Sequence, residues 1–169
     1  MQNQKIPKDV SESAVETRFL VMPHHTNPQN TIFGGVVMSW IDMAAAMVAE
    51  RHSNRPVVTV HVGDISFKAP IKVGDHVYIK AALNYVGKSS MLVGVKVLAE
   101  NPFTGITRHT TTAYLAFVAL DDIGRPIEVR KLTPQSEEEK RRFKEGETRI
   151  LKMKANMKLA KNNGDDSET

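Results

Sequence analysis

The chain has 169 residues, of which 41% are hydrophobic and 25% charged, an ordinary composition for one globular domain with a sizeable core. It contains no cysteine, which excludes disulfides, thiolate metal sites and cysteine nucleophiles. No apolar run approaches the roughly 18 residues that suggest a membrane span. The first 13 residues lack the apolar core of a secretory signal, so we expect a cytoplasmic protein without membrane insertion.

The formal net charge of +4 is concentrated toward the carboxyl end. Residues 125–161 carry 12 Lys/Arg against 6 Asp/Glu, whereas residues 1–124 carry 11 against 10. A basic segment of this kind attracts polyanions such as nucleic acid, anionic lipid or the phosphates of a small cofactor. A solvated helix face accounts for the same charges, and the sequence leaves both interpretations open.

The amino-terminal part of the chain leads into one long apolar helix. Residues 1–13 are polar and of mixed charge, which predicts a flexible arm, and residues 14–22 have the composition of a first strand. The irregular stretch 23–31, with its two prolines, then connects this strand to the helix.

The helix predicted over residues 32–50 begins at a glycine pair and carries no charge before Glu50 except Asp42. A helix that is apolar nearly all round is expected to be buried on every side. Small or polar residues recur on one of its faces, at Gly35, Ser39, Asp42 and Ala46. We therefore expect a buried helix with one carboxylate and room for a ligand beside it.

After Pro56 the hydrophobic period changes from helical to two, which predicts four strands. They cover residues 57–68, 76–85, 91–100 and 106–120. Gly63 marks a bulge or a close approach in the first of them. The second is expected to bury one face, which is formed by Val77, Ile79, Ala81, Leu83 and Tyr85.

Short connections make these consecutive strands antiparallel. A single long helix without a helical partner requires a strongly curved sheet to cover it. We therefore predict an α+β fold of the hotdog type over residues 14–130, in which a curved antiparallel sheet wraps around one long buried helix. The unsatisfied side of such a sheet favours a dimer with a continuous sheet.

Residues 131–161 predict a helical extension at the carboxyl end. Pro134 suits a first helical position, and the glutamates at 137–139 complement the positive end of a helix dipole. Gly146 is expected to end this helix, and a second one is expected over residues 147–161. Residues 162–169 have the composition of a disordered tail.

The order of motifs resembles one known family. Asn27, a short loop, the sequence Ile32-Phe33-Gly34-Gly35 and a helix that carries Asp42 resemble the signature of hotdog-fold acyl-CoA thioesterases. Further matching segments lie at residues 65–71, 73–75, 86–91, 117–121 and 134–146. The resemblance covers about residues 14–160 and is greatest to the cytosolic brain-type acyl-CoA hydrolases, here with a single hotdog domain. Asn30 departs from the glycine of many relatives, but asparagine tolerates a positive φ.

The resemblance implies that the protein hydrolyses fatty acyl-CoA to free fatty acid and coenzyme A. Thioester hydrolysis needs a carboxylate and donors for the developing oxyanion. Asp42 is the candidate general base or nucleophile, and an isolated carboxylate in an apolar helix is expected to be a stronger base unless it is paired. An ordinary polar residue bonded to nearby backbone is the alternative interpretation.

The glycine pair Gly34 and Gly35 opens the helix, where unpaired N–H groups favour negative charge. The Gly35 amide is the candidate donor to the thioester carbonyl, although both glycines also suit close helix packing. Asn27 is a candidate donor to the same carbonyl or to water, and it equally suits a turn. In tandem relatives the matching Asn and Asp come from different hotdog halves. The resemblance therefore implies a homodimer with shared active sites, and a homohexamer built as a trimer of dimers.

Substrate contacts are assigned by the same resemblance. The turn Gly87-Lys88-Ser89-Ser90 resembles the family's coenzyme A-contacting turn, although alone it is an ordinary hairpin. Phe33 and Phe67 are candidates for an acyl slot, as are Trp40 and Met43, and all of these equally suit a core. Ser39 and Thr59 are weaker candidates beside the carboxylate. The histidines have no metal-ligand spacing, so we expect no metal and no cofactor, coenzyme A being part of the substrate and product.

Two other functions are considered for the same sequence features. A dehydratase of this fold normally needs a histidine with its carboxylate, and none is expected beside the helix start. A ligand-sensing or nucleic-acid-binding module is suggested by the basic tail. Because aromatic residues make up only 6% of the chain and fall in the core segments, we expect no nucleic-acid partner.

Overall fold

The computed structural model describes residues 6–164. One long helix packs on an antiparallel sheet, in agreement with the predicted α+β class. In chain order the elements are β1 (Lys8–Asp9), α1 (Val10–Ser13), β2 (Val15–Leu20), a 3-10 turn (Pro23–His25), α2 (Gly34–Ser53), β3 (Val57–Val62), β4 (Ser66–Phe67), β5 (His76–Val86), β6 (Ser90–Glu100), β7 (Thr107–Ala119), β8 (Leu132–Thr133) and α3 (Glu137–Gly164).

The main sheet has six strands in the order β2-β5-β6-β7-β3, and β4 pairs with β7 beyond the end of β3. All of its pairs are antiparallel. The strand predicted over residues 57–68 is divided into β3 and β4 at Gly63. Gly63 is a point of close approach, because its N–H donates to the Tyr114 carbonyl at 2.8 Å. The bulge in this strand lies between Thr59 and His61 instead.

Helix α2 is buried on one side only, so the prediction of burial on every side is wrong. The side that packs on the sheet consists of Val37, Trp40, Ile41, Ala44, Ala45, Val48 and Ala49. Away from the sheet Met38, Met43 and Met47 are 45%, 51% and 41% exposed, with Met38 on one flank and Met43 and Met47 on the other flank of the stripe formed by Gly35, Ser39, Asp42 and Ala46. We call this open side, with its three methionines, the methionine face. One sheet can cover only one side of a helix, so within a single chain the other side remains open, and its methionines border small and polar residues.

The alternation in β5 is interrupted near its end. Val77, Ile79, Ala81 and Leu83 are buried in the main core, as predicted. The register with β6 then shifts between Leu83 and Tyr85, which turns Tyr85 to the outer face of the sheet. There its ring lies 4.9 Å from the ring of Phe143 in α3. The prediction that Tyr85 shares a face with Leu83 is therefore wrong.

Helix α3 continues through Gly146, which was predicted to end it. A Cβ atom at this position would lie only 2.8 Å from the Cβ of Tyr85. Glycine therefore serves close packing of the helix on the sheet and not termination. The helix also includes residues 162–164, predicted to be disordered, while residues 165–169 lie outside the described part. None of the helices in residues 6–164 is long and apolar enough to span a membrane.

Part of the predicted flexible arm is ordered. Strand β1 pairs in parallel with β8, and α1 follows it directly. Val10 is buried and joins the main core, which fixes a segment that is otherwise polar. The prediction is thus wrong for residues 8–13, and residues 1–5 lie outside the described part.

The carboxyl end of α2 contains a buried histidine. His52 is fully buried, and its Nε2 lies 2.8 Å from the Arg130 carbonyl oxygen. Its Nδ1 has no partner among the described residues. Burial lowers the pKa of His52 below its usual 6.5, although the bond to Arg130 opposes this effect.

Because the folded pKa of His52 is lowered, the unfolded chain binds the proton more strongly. The free energy of unfolding should be highest above about pH 6.5 and should decrease as the pH falls through the folded pKa. The His52→Gln variant should lack this part of the pH dependence. Urea unfolding of both proteins between about pH 7.5 and about pH 5 measures how the free energy of unfolding changes with pH. The same change with pH in the two proteins would contradict the assignment to His52.

Candidate active site

Asp42 and Thr59 form a direct pair at the open side of α2. Thr59, on β3, donates its Oγ1–H to Asp42 Oδ1 at 2.9 Å. Asp42 is partly buried and Thr59 is exposed, so the pair borders solvent. A carboxylate oxygen accepts several hydrogen bonds, so this single bond orients the group and leaves its other oxygen for water or a ligand. We call these two residues the carboxylate unit.

The first turn of α2 presents unpaired amides. Phe33 is the N-cap residue and provides no side-chain cap. The Val36 N–H donates to the Phe33 carbonyl at 2.9 Å, whereas the N–H groups of Gly34 and Gly35 have no acceptor among the described residues. The helix dipole adds positive potential at this end. These two amides can therefore stabilise an anionic oxygen.

Two exposed aromatic rings border these amides. A Cβ atom at Gly35 would lie 2.4 Å from Phe33 Cε1, and one at Gly34 would lie 3.6 Å from Phe67 Cζ. The side chains of Phe33 and Phe67 are 59% and 51% exposed, so they are not core residues in a single chain. A cavity of about 370 Å³ lies between this turn and the segment that follows β4. It is lined by Thr31, Ile32, Gly34, Phe67, Lys68, Ala69, Pro70 and Ile71.

Asn27 is held within the loop that precedes the helix. Its Oδ1 accepts hydrogen bonds from the N–H groups of Gln29 and Thr31, at 3.0 and 3.3 Å. Its Nδ2 donates to Thr31 Oγ1 at 3.1 Å, which leaves the second hydrogen of the amide for another acceptor. Asn30 adopts a φ of 57°, as expected from its place in the loop. We call Asn27, Phe33, Gly34, Gly35 and Phe67 the amide unit.

The amide unit and the carboxylate unit are separate within one chain. Gly35 and Asp42 lie on the same face of α2, but seven residues apart, or about 10 Å along the helix axis. Within one chain the Gly35 amide and the backbone of Asp42 are therefore about two helical turns apart. Ser39 lies between them, and its Oγ donates to the Val36 carbonyl at 2.7 Å, a bond within the helix.

The turn at residues 87–90 lies on the side of the carboxylate unit. Ser90 pairs with Val118 of β7, which in turn pairs with Val58, the neighbour of Thr59. Two strand spacings, about 10 Å, therefore separate the turn from Thr59. Lys88 is exposed, and the buried Oγ of Ser90 has no partner among the described residues.

The remaining candidates divide between core and surface. Trp40 is buried and stacks on Phe19 with 4.3 Å between ring centroids, so it belongs to the core. Met43 is exposed on the methionine face.

The sequence did not reveal a histidine beside the helix start, but His25 lies there, and its carbonyl accepts the Phe33 N–H at 2.8 Å. Its Nδ1 accepts the Met22 N–H, and its ring packs edge-on against Trp40, so it has a structural role in the turn. His25 lies 15 residues before Trp40 in the chain, and no local sequence pattern signals that the two rings meet. No group of three or more potential metal ligands occurs in residues 6–164.

Comparison with known proteins identifies relatives along most of the chain. A model of the thioesterase superfamily matches residues 29–106. An acyl-CoA thioester hydrolase of Bacillus subtilis (strain 168), YkhA, described as uncharacterized, is 42% identical over 128 residues, which are 76% of this chain and 74% of that protein. The human cytosolic acyl coenzyme A thioester hydrolase is 33% identical over 151 residues, which are 88% of this chain but 40% of that protein.

Solved structures give the same result. An acyl-CoA hydrolase of Staphylococcus aureus, in complex with butyryl coenzyme A and coenzyme A, is 34% identical with a TM-score of 0.89, over 97% of this chain and 100% of that one. Structures of its alanine variants at an asparagine, an aspartate and a threonine are also known. A hexameric acyl-CoA thioesterase is 37% identical with a TM-score of 0.85, over 91% of this chain and 97% of that one. The chain therefore belongs to the thioesterase superfamily, in its acyl-CoA hydrolase group, and has the hotdog fold that its sequence predicted.

Proposed function

We propose that this protein hydrolyses fatty acyl-CoA thioesters to free fatty acid and coenzyme A. The observation that carries the proposal is the Asp42 carboxylate, oriented by Thr59 at 2.9 Å on the open face of α2. In the Staphylococcus aureus hydrolase the replaced asparagine precedes the aspartate by 15 residues and the threonine follows it by 17. Asn27, Asp42 and Thr59 have the same spacing in this chain.

The proposed reaction uses both units. The Gly35 N–H donates to the thioester carbonyl oxygen, and Asn27 supports the same oxygen or the attacking water. Asp42 acts as general base, taking a proton from the water that adds to the carbonyl carbon, or as nucleophile through an anhydride that water then opens. The carbon–sulfur bond breaks, and the coenzyme A thiolate takes up a proton. This scheme requires no metal and no cofactor.

Each site combines the amide unit of one subunit with the carboxylate unit of its partner. The separation of about 10 Å along the helix axis between Gly35 and Asp42 in one chain supports this arrangement. The surface around Asp42 supports it, because exposed methionines of α2 flank the stripe that carries Asp42, and Val62 of the edge strand β3 is exposed on the same face of the sheet as Thr59. Exposed apolar surface of this kind is typical of a protein interface. We propose a homodimer on this surface, and a homohexamer of three such dimers; the acyl-CoA thioesterase relative of known structure is hexameric.

Contacts to coenzyme A are proposed for the turn at residues 87–90. The exposed Lys88 ammonium is free to bind a phosphate, and the hydroxyl of the partly buried Ser89 can bond the pantetheine, whereas the Oγ of Ser90 is buried and Ser90 would contribute through the shape of the turn. Phe33 and Phe67 flank the amides and supply apolar surface for the chain attached to the thioester. A cytoplasmic location agrees with the name of the human cytosolic relative.

Replacement of Asp42 tests the chemical step. Asp42→Asn keeps an acceptor for Thr59 but removes the base, so kcat should decrease by at least about 10³-fold, and Thr59→Val should lower it by about tenfold. Release of free thiol from a series of acyl-CoA substrates measures both effects. Asp64→Asn, at an exposed position, is the control. Full turnover by Asp42→Asn would exclude the proposed role.

Mixed subunits test the shared site. Asn27→Ala and Asp42→Ala should each be nearly inactive alone. In a heterodimer of the two variants one site contains both intact units, so activity should return. The measurement is thiol release by heterodimers purified with two different affinity tags. Verified heterodimers that remain inactive would show that each site lies within one chain.

The two glycines provide a matched pair of variants. Gly35→Ala must displace the Phe33 ring from its position 2.4 Å from the new Cβ, whereas Gly34→Ala makes an ordinary contact of 3.6 Å with Phe67. We expect Gly35→Ala to lower kcat/KM by about tenfold or more and Gly34→Ala to change it little. Neither should lower Tm, because alanine favours a helix. Thiol release measures the activity of both variants. Equal activity would show that the position of the Phe33 ring does not matter for the reaction.

A further inference from the structure

An ion pair between a buried carboxylate and a partly exposed arginine closes the turn that follows β4. Asp75 is only 5% exposed, and its Oδ2 accepts hydrogen bonds from Arg108 Nη2 at 2.8 Å and from the Lys72 N–H at 2.9 Å. The same Arg108 nitrogen donates to the Pro70 carbonyl at 3.2 Å. One guanidinium and one carboxylate therefore fix residues 70–75, which we call the 70–75 turn.

The 70–75 turn supports the segment that starts helix α2. The Ile32 N–H donates to the Ile71 carbonyl at 2.8 Å, and Thr31 forms a β-bridge with Lys72. Ile71 is buried, and the turn supplies Pro70 and Ile71 to the wall of the cavity beside Gly34. Because Ile32 lies two residues before Gly34, a shift of the turn displaces the amides at the helix start.

The same turn holds the other end of the loop that carries Asn27. The Val21 N–H donates to the Asp75 carbonyl at 3.0 Å, and the Gly74 N–H donates to the Val21 carbonyl at 2.9 Å. Residues 21 and 32 are thus both bonded to the 70–75 turn, and Asn27 lies between them. The amide unit has its two ends fixed on one support.

The carboxylate unit does not share this support. Thr59 pairs with Phe117 near one end of β7, whereas Arg108 lies near the other end and pairs with Ala99. Nine residues of extended strand, about 30 Å, separate Arg108 from Phe117. Loosening the turn should therefore disturb the amide unit while leaving the Asp42–Thr59 hydrogen bond intact.

We propose that Asp75 and Arg108 are positioning residues, which hold Asn27 and the Gly35 amide in the geometry needed for thioester hydrolysis. The inference rests on the proposed function, and it adds a role for two residues that do not touch the substrate. A buried carboxylate that loses its cation is destabilised, so either side chain alone cannot maintain the turn.

Kinetics of single variants give the first test. Asp75→Asn and Arg108→Gln should lower kcat by about ten- to a hundredfold, with KM changed much less. Arg108→Lys, which keeps one charged donor for Asp75, should recover part of kcat. The control is Arg125→Gln, which removes the exposed pair with Asp121 at 3.1 Å and should leave kcat unchanged. Unchanged kcat in both Asp75→Asn and Arg108→Gln would overturn the proposal.

Mixed subunits separate positioning from a general effect on folding. In a heterodimer of Asp75→Asn with Asp42→Ala, one site contains an undisturbed amide unit and an intact carboxylate unit, so activity should return. In a heterodimer of Asp75→Asn with Asn27→Ala, every site has a defective amide unit, so activity should stay low. Recovery in the second pair, or none in the first when Asn27→Ala with Asp42→Ala does recover, would overturn the proposal. Should Asp75→Asn fail to fold, Arg108→Gln takes its place in both mixtures.

The pair Asn27→Ala with Asp42→Ala distinguishes failure of this inference from failure of the shared site. If that pair recovers activity and Asp75→Asn with Asp42→Ala does not, only the positioning role is wrong. If neither recovers, the shared site is wrong, and the single-variant kcat values then decide the positioning role.

Discussion

The sheet of this protein covers only one side of its long central helix, and most other features depend on that constraint. Seven apolar residues of α2 pack on the sheet, while the methionine face is left open. Covering that face within one chain would require a second layer, and α3 lies on the opposite side of the sheet, against Leu92 and Ala116. The edge strand β3 adds exposed valines and unpaired backbone groups beside it. The helix face and the strand edge lie next to each other, joined by the Thr59–Asp42 hydrogen bond, and together they form the surface of the proposed association.

The rigidity of the helix also separates the reactive groups. A carboxylate in the first turn of a helix accepts hydrogen bonds from the free N–H groups and so occupies the place of an oxyanion. Asp42 lies about two turns further along, where its only described partner is Thr59. The Asp42 carboxylate and the free amides of the first turn therefore both remain available in the isolated chain, since neither neutralises the other. In the proposed dimer, the two groups from different chains would face one substrate.

The sequence predicted the elements whose signals are local. The period of two predicted the strands of the sheet, and the glycine pair predicted the start of α2. The loop before α2 required one residue with positive φ, and Asn30 met that requirement. The catalytic roles given to Asn27, Gly35 and Asp42 came from family resemblance, and they remain predictions.

The errors share a cause, because each depends on contacts between segments distant in the chain. Gly146 has the composition of a helix stop, yet it is needed for close approach to Tyr85. Tyr85 in turn changes face at a bulge that no local pattern marks. The Asp75–Arg108 pair joins residues 33 positions apart, and neither side chain alone signals a link to the helix start.

The open methionine face has a consequence for how the protein assembles. Folding of a chain is a first-order process, whereas burial of this face in the proposed dimer requires a second chain and is second-order in protein concentration. Under that assembly, a newly folded chain passes through a state that exposes both the methionine face and a strand edge. Such species aggregate more readily as temperature and concentration rise, so yield during expression depends on how quickly correct association competes with strand-edge pairing.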